Sequence, residues 1–164
     1  MIARDMDEVL EVENTASPLE PWDEDYFLKF LKGRNTIGMV AELNEEIVGF
    51  MVYSLLIKKQ IFVYNFAVHS LNRRCGIGTQ MMDKLFSKLK PQKRDSMIIF
   101  ARESNFGALK FLRSKGFMAD KLVKESFKNG EDAYRLRYNL KDQDDYPLQA
   151  GNRISKTKVD EIDS

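Results

Sequence analysis

The first part of the chain shows two helical patterns separated by a break that contains proline. Apolar side chains recur every three or four residues over residues 5–13, which predicts a helix there. Prolines within residues 17–21 end that pattern, because proline cannot continue a helix and restrains the residue before it. A second apolar stripe follows Asp23, which suits a helix N-cap, and it extends through Lys32 to a stop at Gly33. We therefore predict two helices in this part of the chain.

Beyond Gly33 the pattern changes to strands interleaved with helices. The predicted strands are 37–43, 47–57, 61–68, 97–101, 117–127 and 133–140, and the predicted helices between them are 77–90 and 105–115. Short polar turns join the first three strands and predict antiparallel pairing, while Asn129-Gly130 predicts a tight hairpin between the last two. The strand–helix–strand unit in the middle predicts a right-handed parallel crossover. The whole order predicts an α+β fold, with one mixed central sheet flanked by helices.

Composition bounds the classes of function that the chain can have. Apolar residues make up 43% and the net charge is only +1, so no overall field points to nucleic acid. No apolar run approaches the roughly 20 residues of a membrane span, and residues 1–13 lack the apolar region of a signal peptide. The single cysteine excludes an internal disulfide and the single histidine excludes most zinc sites. We expect a cytoplasmic protein with no metal, nucleic-acid or membrane partner, organised as a domain over 1–140 and a polar tail over 141–164.

The connection between the third strand and the next helix carries the strongest candidate chemistry. Residues 73–78 read RRCGIG and open the predicted helix. A helix N-terminus attracts anions, glycines let a bulky anion approach the backbone, and arginines pair with phosphate oxygens. A dinucleotide fingerprint would require glycine at Met81, and a P-loop would require Lys and Ser/Thr after Gly78. The segment predicts a phosphorylated ligand, or else it is a loop that only joins the strand to the helix.

Two motifs in this order resemble one enzyme superfamily. The pattern R/Q-x-x-G-x-G/A at 73–78 is similar to the pyrophosphate loop of the GNAT acetyltransferases, which bind acetyl-CoA. Residues 105–117 resemble that family's N-x-x-A-x-x-L/F-Y-x-x-x-G-F segment. Three shorter stretches resemble the RimI-type ribosomal-protein-alanine N-acetyltransferases, which acetylate a protein N-terminal amine: 9–13, 21–27 and 130–133. The resemblance covers roughly residues 2–140 and implies the GNAT fold, with its first strand short or missing.

The resemblance implies acetyl-CoA as cosubstrate, with no metal. The backbone of Phe66, Ala67 and Val68 would pair with the pantetheine arm and polarise the thioester carbonyl. Asn105 would hydrogen-bond the arm near the sulfur, and Phe111 belongs to the same implied site. The residues that would hold the pyrophosphate are Arg73, Arg74, Cys75, Gly76, Ile77, Gly78 and Thr79.

The sequence departs from the family at both usual proton-transfer positions. The presumed general base, a glutamate, is replaced by Phe100, and the tyrosine that would protonate the leaving thiolate is replaced by Leu112. Substitutes within the chain are Tyr134, His69 and Glu103, although each also has a structural role open to it: packing, a surface beside the loop, and a helix N-terminus. Either other groups carry the chemistry, or the protein binds the coenzyme without turnover.

The function implied foremost is direct transfer of acetyl from acetyl-CoA to the N-terminal α-amine of a protein, such as a ribosomal protein. The acceptor would enter past residues 21–27 and the 129–134 hairpin. An α-amine has a pKa of about 8 against about 10.4 for lysine, so it tolerates a weaker base. The alternatives are a coenzyme-A-binding protein with weak or lost catalysis, and an acetyltransferase for small amines or lysine side chains. A monomer or homodimer is expected.

Overall fold

A computed structural model describes residues 3–55 and 59–143 of the chain. The helices are α1 Met6–Ala16, α2 Glu24–Leu31, α3 Ile77–Phe86 and α4 Phe106–Ser114. The strands are β1 Thr36–Leu43, β2 Glu46–Leu55, β3 Gln60–Val68, β4 Ser96–Arg102, β5 Met118–Val123 and β6 Ala133–Asn139. Short 3-10 turns lie at Ala3–Asp5, Ser70–Asn72 and Lys141–Gln143. The order of helices and strands is the predicted one, while the tail predicted over 141–164 lies outside the described residues from 144 onward.

The strands form one mixed sheet in the order β1-β2-β3-β4-β6-β5. β1 pairs with β2 antiparallel, β3 pairs with β4 parallel, and β6 pairs antiparallel with both β4 and β5. The α+β prediction and the parallel crossover through α3 are therefore confirmed. Among the described residues, which begin at Ala3, no strand precedes α1.

The described residues form two compact units, and the chain passes from one to the other at the end of β2, within β3 and after α3. The first unit takes in residues 3–54 and 64–88, which include α1, α2, β1, the end of β3 and α3. The second unit takes in residues 55, 59–63 and 89–143, which include β4, α4, β5 and β6.

The core of the first unit is a cluster of apolar side chains from α1, α2, β2 and β3. Its buried members are Met6, Val9, Val12, Phe27, Phe50, Val52 and Ala67. Phe27 is completely buried, and its ring centroid lies 5.2 Å from that of Phe50 in an edge-on contact. Burying a side chain of this size stabilises a fold by roughly 1.5–3 kcal/mol. The cluster holds α1 and α2 against β2 and the end of β3.

Helix α2 begins at the predicted cap. Asp23 has extended backbone angles, and its Oδ1 accepts a hydrogen bond of 2.8 Å from the backbone N–H of Tyr26. We expect Asp23→Ala to lower the free energy of unfolding by about 1 kcal/mol, because that N–H loses its acceptor. Urea denaturation measures the change, with Asp23→Asn retaining most of the stability and Asp25→Ala serving as the matched control. An equal loss in the Asp23→Ala and Asp25→Ala variants would contradict the capping role.

Helix α3 ends four residues before the predicted stop at Lys90. Its last turn tightens, since the N–H of Lys88 donates to the carbonyl of Leu85, only three residues earlier, at 3.1 Å. The Ser87 hydroxyl also donates to the carbonyl of Lys84 at 2.6 Å. The prediction that the helix continues through 87–90 is therefore wrong, because Ser87 and the tightened turn end it before Pro91.

The β5–β6 hairpin is wider than the tight Asn129-Gly130 turn that the sequence predicts. A loop over 124–132 joins the two strands, so the prediction of strand as far as 127 is wrong. The reason is the buried carboxylate of Asp132, which accepts from the backbone N–H of Glu125 at 2.9 Å and from Lys124 Nζ at 2.8 Å. These bonds draw the chain out of the strand ladder and give the loop its own structure.

Candidate active site

The end of strand β3 leads directly into the candidate site of the first unit. The β3–β4 ladder runs from Gln60↔Ser96 to Val63↔Ile99, and β3 itself continues as strand to Val68. Phe66, Ala67 and Val68 thus form the last three residues of the strand. Gly49 allows β2 to come close here, because a Cβ at that position would lie 3.1 Å from Met81 Sδ and 3.2 Å from the Ala67 carbonyl oxygen.

The loop that follows β3 carries a backbone suited to anions. The N–H of His69 donates to the carbonyl of Val48 at 2.8 Å, which ties the end of β3 to β2. Arg74 has φ 60° and Gly76 has φ 81°, both in the left-handed region, where glycine alone is free of steric cost. Gly76 is also the N-cap of α3 and supplies no capping side chain, so the N–H groups of the first turn have no side-chain acceptor at the N-cap.

The side chains of this loop add positive charge to that backbone. Arg73 and Arg74 are exposed, and among the described residues neither makes an ion pair with a carboxylate. Cys75 is an exposed free thiol whose Sγ donates to the carbonyl of Arg73 at 3.5 Å. Residues 70–79 contain no acidic side chain. The structure therefore brings the predicted pyrophosphate residues together in one cationic loop at a helix N-terminus, an arrangement that binds phosphate.

Helix α3 fixes the position of that loop. Ile77 is 4% exposed although it is the first residue of the helix, so the helix start is anchored in the core. The other buried side chains of the helix are Met81, Met82 and Leu85. This is the stripe that the three-to-four spacing predicts, and it leaves Gly78 and Thr79 on the partly exposed side.

His69 has both ring nitrogens engaged in the first unit. Its Nδ1 accepts from the backbone N–H of Leu71 at 3.2 Å, and its Nε2 lies 4.0 Å from Glu11 Oε1. In the neutral ring these contacts put the proton on Nε2, facing Glu11. A general base uses a nitrogen lone pair, and the lone pair of Nδ1 is directed at the backbone. The role of His69 as a base stays a prediction.

Helix α4 in the second unit holds the other two residues assigned to the coenzyme. Asn105 is the N-cap, and its Oδ1 accepts from the N–H of Ala108 at 3.1 Å, which leaves the Nδ2 amide hydrogens as donors. Phe111 lies half-buried on the same helix, with Lys115 Nζ 5.9 Å from its ring centroid. Leu112 is 2% exposed, so an apolar core side chain occupies the position of the family tyrosine.

Strand β4 presents an aromatic side chain at the position of the family glutamate. Phe100 is 39% exposed, and its ring centroid lies 5.9 Å from that of Phe62. The register pairs Phe100 with Arg135 and Ala101 with Tyr134. Directly opposed residues share a face of the sheet, so Tyr134 and Phe100 lie on opposite faces. A proton-transfer role for Tyr134 stays a prediction.

The carboxylate that organises the loop after β4 is Glu131 rather than Glu103. Glu103 is exposed, whereas Glu131 accepts from the backbone N–H of Ser104 at 3.0 Å and from Arg102 at 3.1 Å. The hydrogen bonds from Ser104, together with those from Asn129 and Arg102, lower the pKa of Glu131 to about 2. Sequence reasoning did not single out Glu131, although it lies in the 130–133 stretch noted for its resemblance. A catalytic role for Glu103 stays a prediction.

Glu13 is a second acidic residue that sequence reasoning did not assign to a site. It lies on α1, is only 1% exposed, and its Oε1 accepts from the backbone N–H of Trp22 at 2.9 Å. Burial raises the pKa of this carboxyl, although the hydrogen bond from Trp22 opposes the rise. The sequence does contain a signal for this residue. Glu13 follows the same helical spacing as the apolar residues Met6 and Val9, which places a carboxylate on the buried face of the helix.

Two kinds of feature are absent from the part of the chain that the structure describes. Within 3–55 and 59–143, no group of three or more His, Cys, Asp or Glu side chains is arranged to hold a metal ion. No helix in those same ranges combines the length and the apolar character needed to cross a bilayer.

Curated relatives of the chain are named for one activity. N-alpha-acetyltransferase 30 of Xenopus laevis is 30% identical over 126 residues, which cover 74% of this chain and 46% of that protein. The N-alpha-acetyltransferase of Sulfurisphaera tokodaii is 27% identical over 145 residues, which cover 80% of this chain and 86% of that protein. The chain thus spans less than half the length of the first relative and most of the second.

Solved structures share the fold along most of the chain. The ribosomal-protein-S18-alanine N-acetyltransferase from Escherichia coli superposes with a TM-score of 0.76 at 19% identity, over 95% of this chain and 96% of that chain. A GNAT family acetyltransferase from Elizabethkingia anophelis, solved with acetyl-CoA bound, gives a TM-score of 0.68 at 21% identity. The superposition covers 85% of this chain and 92% of that chain. At sequence identities this low, the structural similarity establishes that the fold is shared.

The family itself follows from a match along the sequence. The model of the acetyltransferase (GNAT) family matches residues 4–117, more than half of the chain, and includes the loop at 73–78. The resemblance read from the two motifs is thereby confirmed, and the chain belongs to the GNAT acetyltransferase family.

Proposed function

We propose that the chain is an acetyl-CoA-dependent N-acetyltransferase that acts on the N-terminal α-amine of a protein. The observation that carries the proposal is the loop at 73–79. It combines two arginines without carboxylate partners among the described residues, the left-handed Gly76 and the uncapped N-terminus of α3. These features select an anionic ligand, and the loop directly follows the strand segment 66–68 that the family resemblance assigns to the thioester arm.

Acetyl-CoA fits the chemistry of that loop. Its pyrophosphate carries two negative charges, which the N–H groups at the start of α3 and the guanidinium groups of Arg73 and Arg74 can neutralise. Gly76 and Gly78 leave the backbone accessible, since neither has a side chain that would hold phosphate oxygens away. The related protein from Elizabethkingia anophelis, with the same fold, was solved with acetyl-CoA bound, and this supports the assignment.

The proposed reaction is direct transfer without an acyl-enzyme. The neutral amine nitrogen attacks the thioester carbonyl, the carbon–sulfur bond of the tetrahedral intermediate breaks, and coenzyme A leaves as a thiolate. The amine loses one proton and the thiolate gains one, so the reaction is balanced without another reactant. With Phe100 and Leu112 at the usual proton-transfer positions, catalysis rests mainly on placement and on backbone stabilisation of the oxyanion. Tyr134, His69 and Glu103 stay the candidate groups for proton transfer.

The α-amine is the proposed acceptor for two reasons. The curated relatives are named N-alpha-acetyltransferases, and the archaeal one matches this chain over 86% of its own length. An α-amine is also easier to deprotonate than a lysine side chain, which suits a site without the family glutamate. A protein N-terminus is therefore the proposed partner, and a monomer or homodimer the proposed form.

The cytoplasm is the proposed compartment. The exposed Cys75 thiol lies inside the coenzyme loop, and a reducing environment keeps such a thiol free. The formal net charge of +1 offers no attraction to nucleic acid.

A second function, coenzyme A binding without turnover, is favoured by one observation. Both positions that carry the family's proton-transfer side chains are apolar here: Phe100 is 39% exposed and Leu112 is 2% exposed. Calorimetry with acetyl-CoA, followed by mass spectrometry of a peptide library incubated with the protein, separates the two functions. Binding with acetylated peptide N-termini supports the enzyme, binding without any acetylated product supports the second function, and folded protein that does not bind contradicts both.

The two arginines of the loop should each contribute to coenzyme affinity. We expect Arg73→Ala and Arg74→Asn each to raise the acetyl-CoA Kd about tenfold at low salt, because a charge-assisted contact with phosphate is lost. Asparagine is chosen at position 74 because it tolerates the left-handed φ of 60°. Calorimetry at two salt concentrations should also show a weaker salt dependence than in the wild type. Arg113→Ala, an exposed arginine on α4, is the control, and unchanged affinity in both loop variants would contradict the assignment.

A further inference from the structure

Glu13 is an unusual acid for its place in the fold. It lies in the last turns of α1, where the helix dipole disfavours a negative charge, and it is 1% exposed. The other acidic residues of this helix, Asp7, Glu8 and Glu11, are exposed. Burial raises the pKa of the Glu13 carboxyl, so the charged form is disfavoured in the folded protein. A buried acid of this kind is tolerated when its hydrogen bonds compensate for lost hydration.

The hydrogen bond that Glu13 accepts joins α1 to the connection that follows it. Its Oε1 accepts from the backbone N–H of Trp22, in the connection between α1 and α2, at 2.9 Å. Its Oε2 is buried and has no hydrogen-bond partner among the described residues. The bond to the Trp22 N–H is therefore the contact through which this carboxyl acts on the α1–α2 connection.

The segment that Glu13 holds carries a row of aromatic rings, which we call the aromatic wall: Trp22, Tyr26, Phe30 and Tyr64. The rings of Trp22 and Phe30 stack with centroids 4.7 Å apart, and Phe30 lies 4.7 Å from Tyr64 on strand β3. Tyr26 packs against Trp22 at 4.9 Å and is 43% exposed. The wall thus runs from the α1–α2 connection to β3 and ends two residues before Phe66.

We infer that Glu13 is a positioning residue for the acceptor, whose carboxyl fixes the backbone of Trp22 and so holds the aromatic wall, through the contact of Phe30 with Tyr64, beside residues 66–68. An acceptor amine that approaches this segment within the first unit passes the exposed edge of the wall. Displacement of the wall changes the placement of the acceptor and leaves the loop at 73–79, which binds the coenzyme, in place. The effect on acceptor placement rests on the proposed acetyl transfer. The fixing of the Trp22 backbone by Glu13 rests on the structure alone.

Three variants separate positioning from stability. Glu13→Met removes the acceptor of the Trp22 N–H while it keeps the volume of the side chain. Glu13→Gln keeps a carbonyl oxygen for that N–H and should behave as the rescue variant. Val9→Ala is the matched control, because Val9 is a completely buried residue of the same helix whose truncation lowers the melting temperature and leaves the acceptor of the Trp22 N–H unchanged.

The structural readout needs no enzymatic activity, because Trp22 is the single tryptophan of the chain. In Glu13→Met we expect the Trp22 amide to exchange hydrogen at least about tenfold faster, and acrylamide to quench the tryptophan fluorescence more strongly. Glu13→Gln and Val9→Ala should stay close to the wild type in both measurements. Unchanged exchange and quenching in Glu13→Met would overturn the inference, even in a protein that shows no acetyl transfer.

The kinetic readout then tests the effect on the acceptor. In Glu13→Met we expect the KM for an acceptor peptide to rise about tenfold, while the Kd for acetyl-CoA and kcat stay within about twofold, since only acceptor placement is altered. Glu13→Gln should restore the KM. A parallel loss of coenzyme affinity, or an equal rise of KM in Val9→Ala, would overturn the inference. Wild-type protein that binds no acetyl-CoA contradicts the proposed function instead, and the exchange of the Trp22 amide still tests Glu13.

Discussion

Replacement of Gly76 by glutamate is expected to raise the Kd for acetyl-CoA at least about a hundredfold, or roughly 2.7 kcal/mol of binding free energy. Gly76 has φ 81° and ψ 0° and precedes the first residue of α3. A side chain there covers the N–H groups that would contact the pyrophosphate, and its carboxylate repels the phosphate oxygens. Calorimetry of the folded variant measures the change.

Gly130 offers a matched control for the backbone strain of that variant. Its φ is 80°, and a Cβ at that position would meet no atom within 4 Å. Gly130→Glu therefore carries the same steric cost of the left-handed conformation, about 1–2 kcal/mol, without a role in the loop at 73–79. We expect both variants to lose similar stability and only Gly76→Glu to lose the coenzyme. Retained affinity in Gly76→Glu, or an equal loss in both variants, would contradict the assignment of the loop.

The parts of the fold that the sequence predicted are those with local causes. Asp23 caps α2 because its side chain reaches an N–H only three residues away, and proline ended the first helical pattern for an equally local reason. The stripe of α3 was visible because burial of Met82 and Leu85 requires the helical spacing. The loop at 73–78 was recognisable for the same reason, since glycine and arginine act there through their own backbone and charge.

The parts that were missed depend on residues distant in sequence or on burial. The Asn129-Gly130 pair favours a tight turn locally, but the buried carboxylate of Asp132 takes the N–H of Glu125 and widens the loop. Glu13 could be placed on the inner side of α1 from its spacing. Its bond to Trp22, nine residues later, follows only from the path of the chain between α1 and α2.

The chemistry of the site depends on the residues at positions 100 and 112, where the family has its usual proton-transfer side chains. Phe100 on β4 and Leu112 on α4 cannot accept or donate a proton, so the family's two usual positions supply no base that would make a protonated amine reactive. A site of this kind acts on the fraction of acceptor that is already neutral in solution. The pKa of the acceptor amine then becomes the main determinant of selectivity, and this gives the proposed function its most direct test.

Two peptides that differ only in the acceptor group measure that selectivity. One has a free N-terminus and no lysine, and the other has a blocked N-terminus and a single lysine at one substituted position. At pH 7 the neutral fraction of an α-amine exceeds that of a lysine about 200-fold, so kcat/KM should favour the first peptide by about that factor. The ratio should fall to about 25 at pH 9. The α-amine is then mostly neutral, whereas the neutral fraction of the lysine side chain is still rising with pH. Ionisation of groups on the enzyme affects kcat/KM for both peptides equally, so it cancels from the ratio of the two values. A ratio near one at pH 7, or one that does not change with pH, would show that the site contains a base strong enough to deprotonate lysine, and would contradict catalysis by placement.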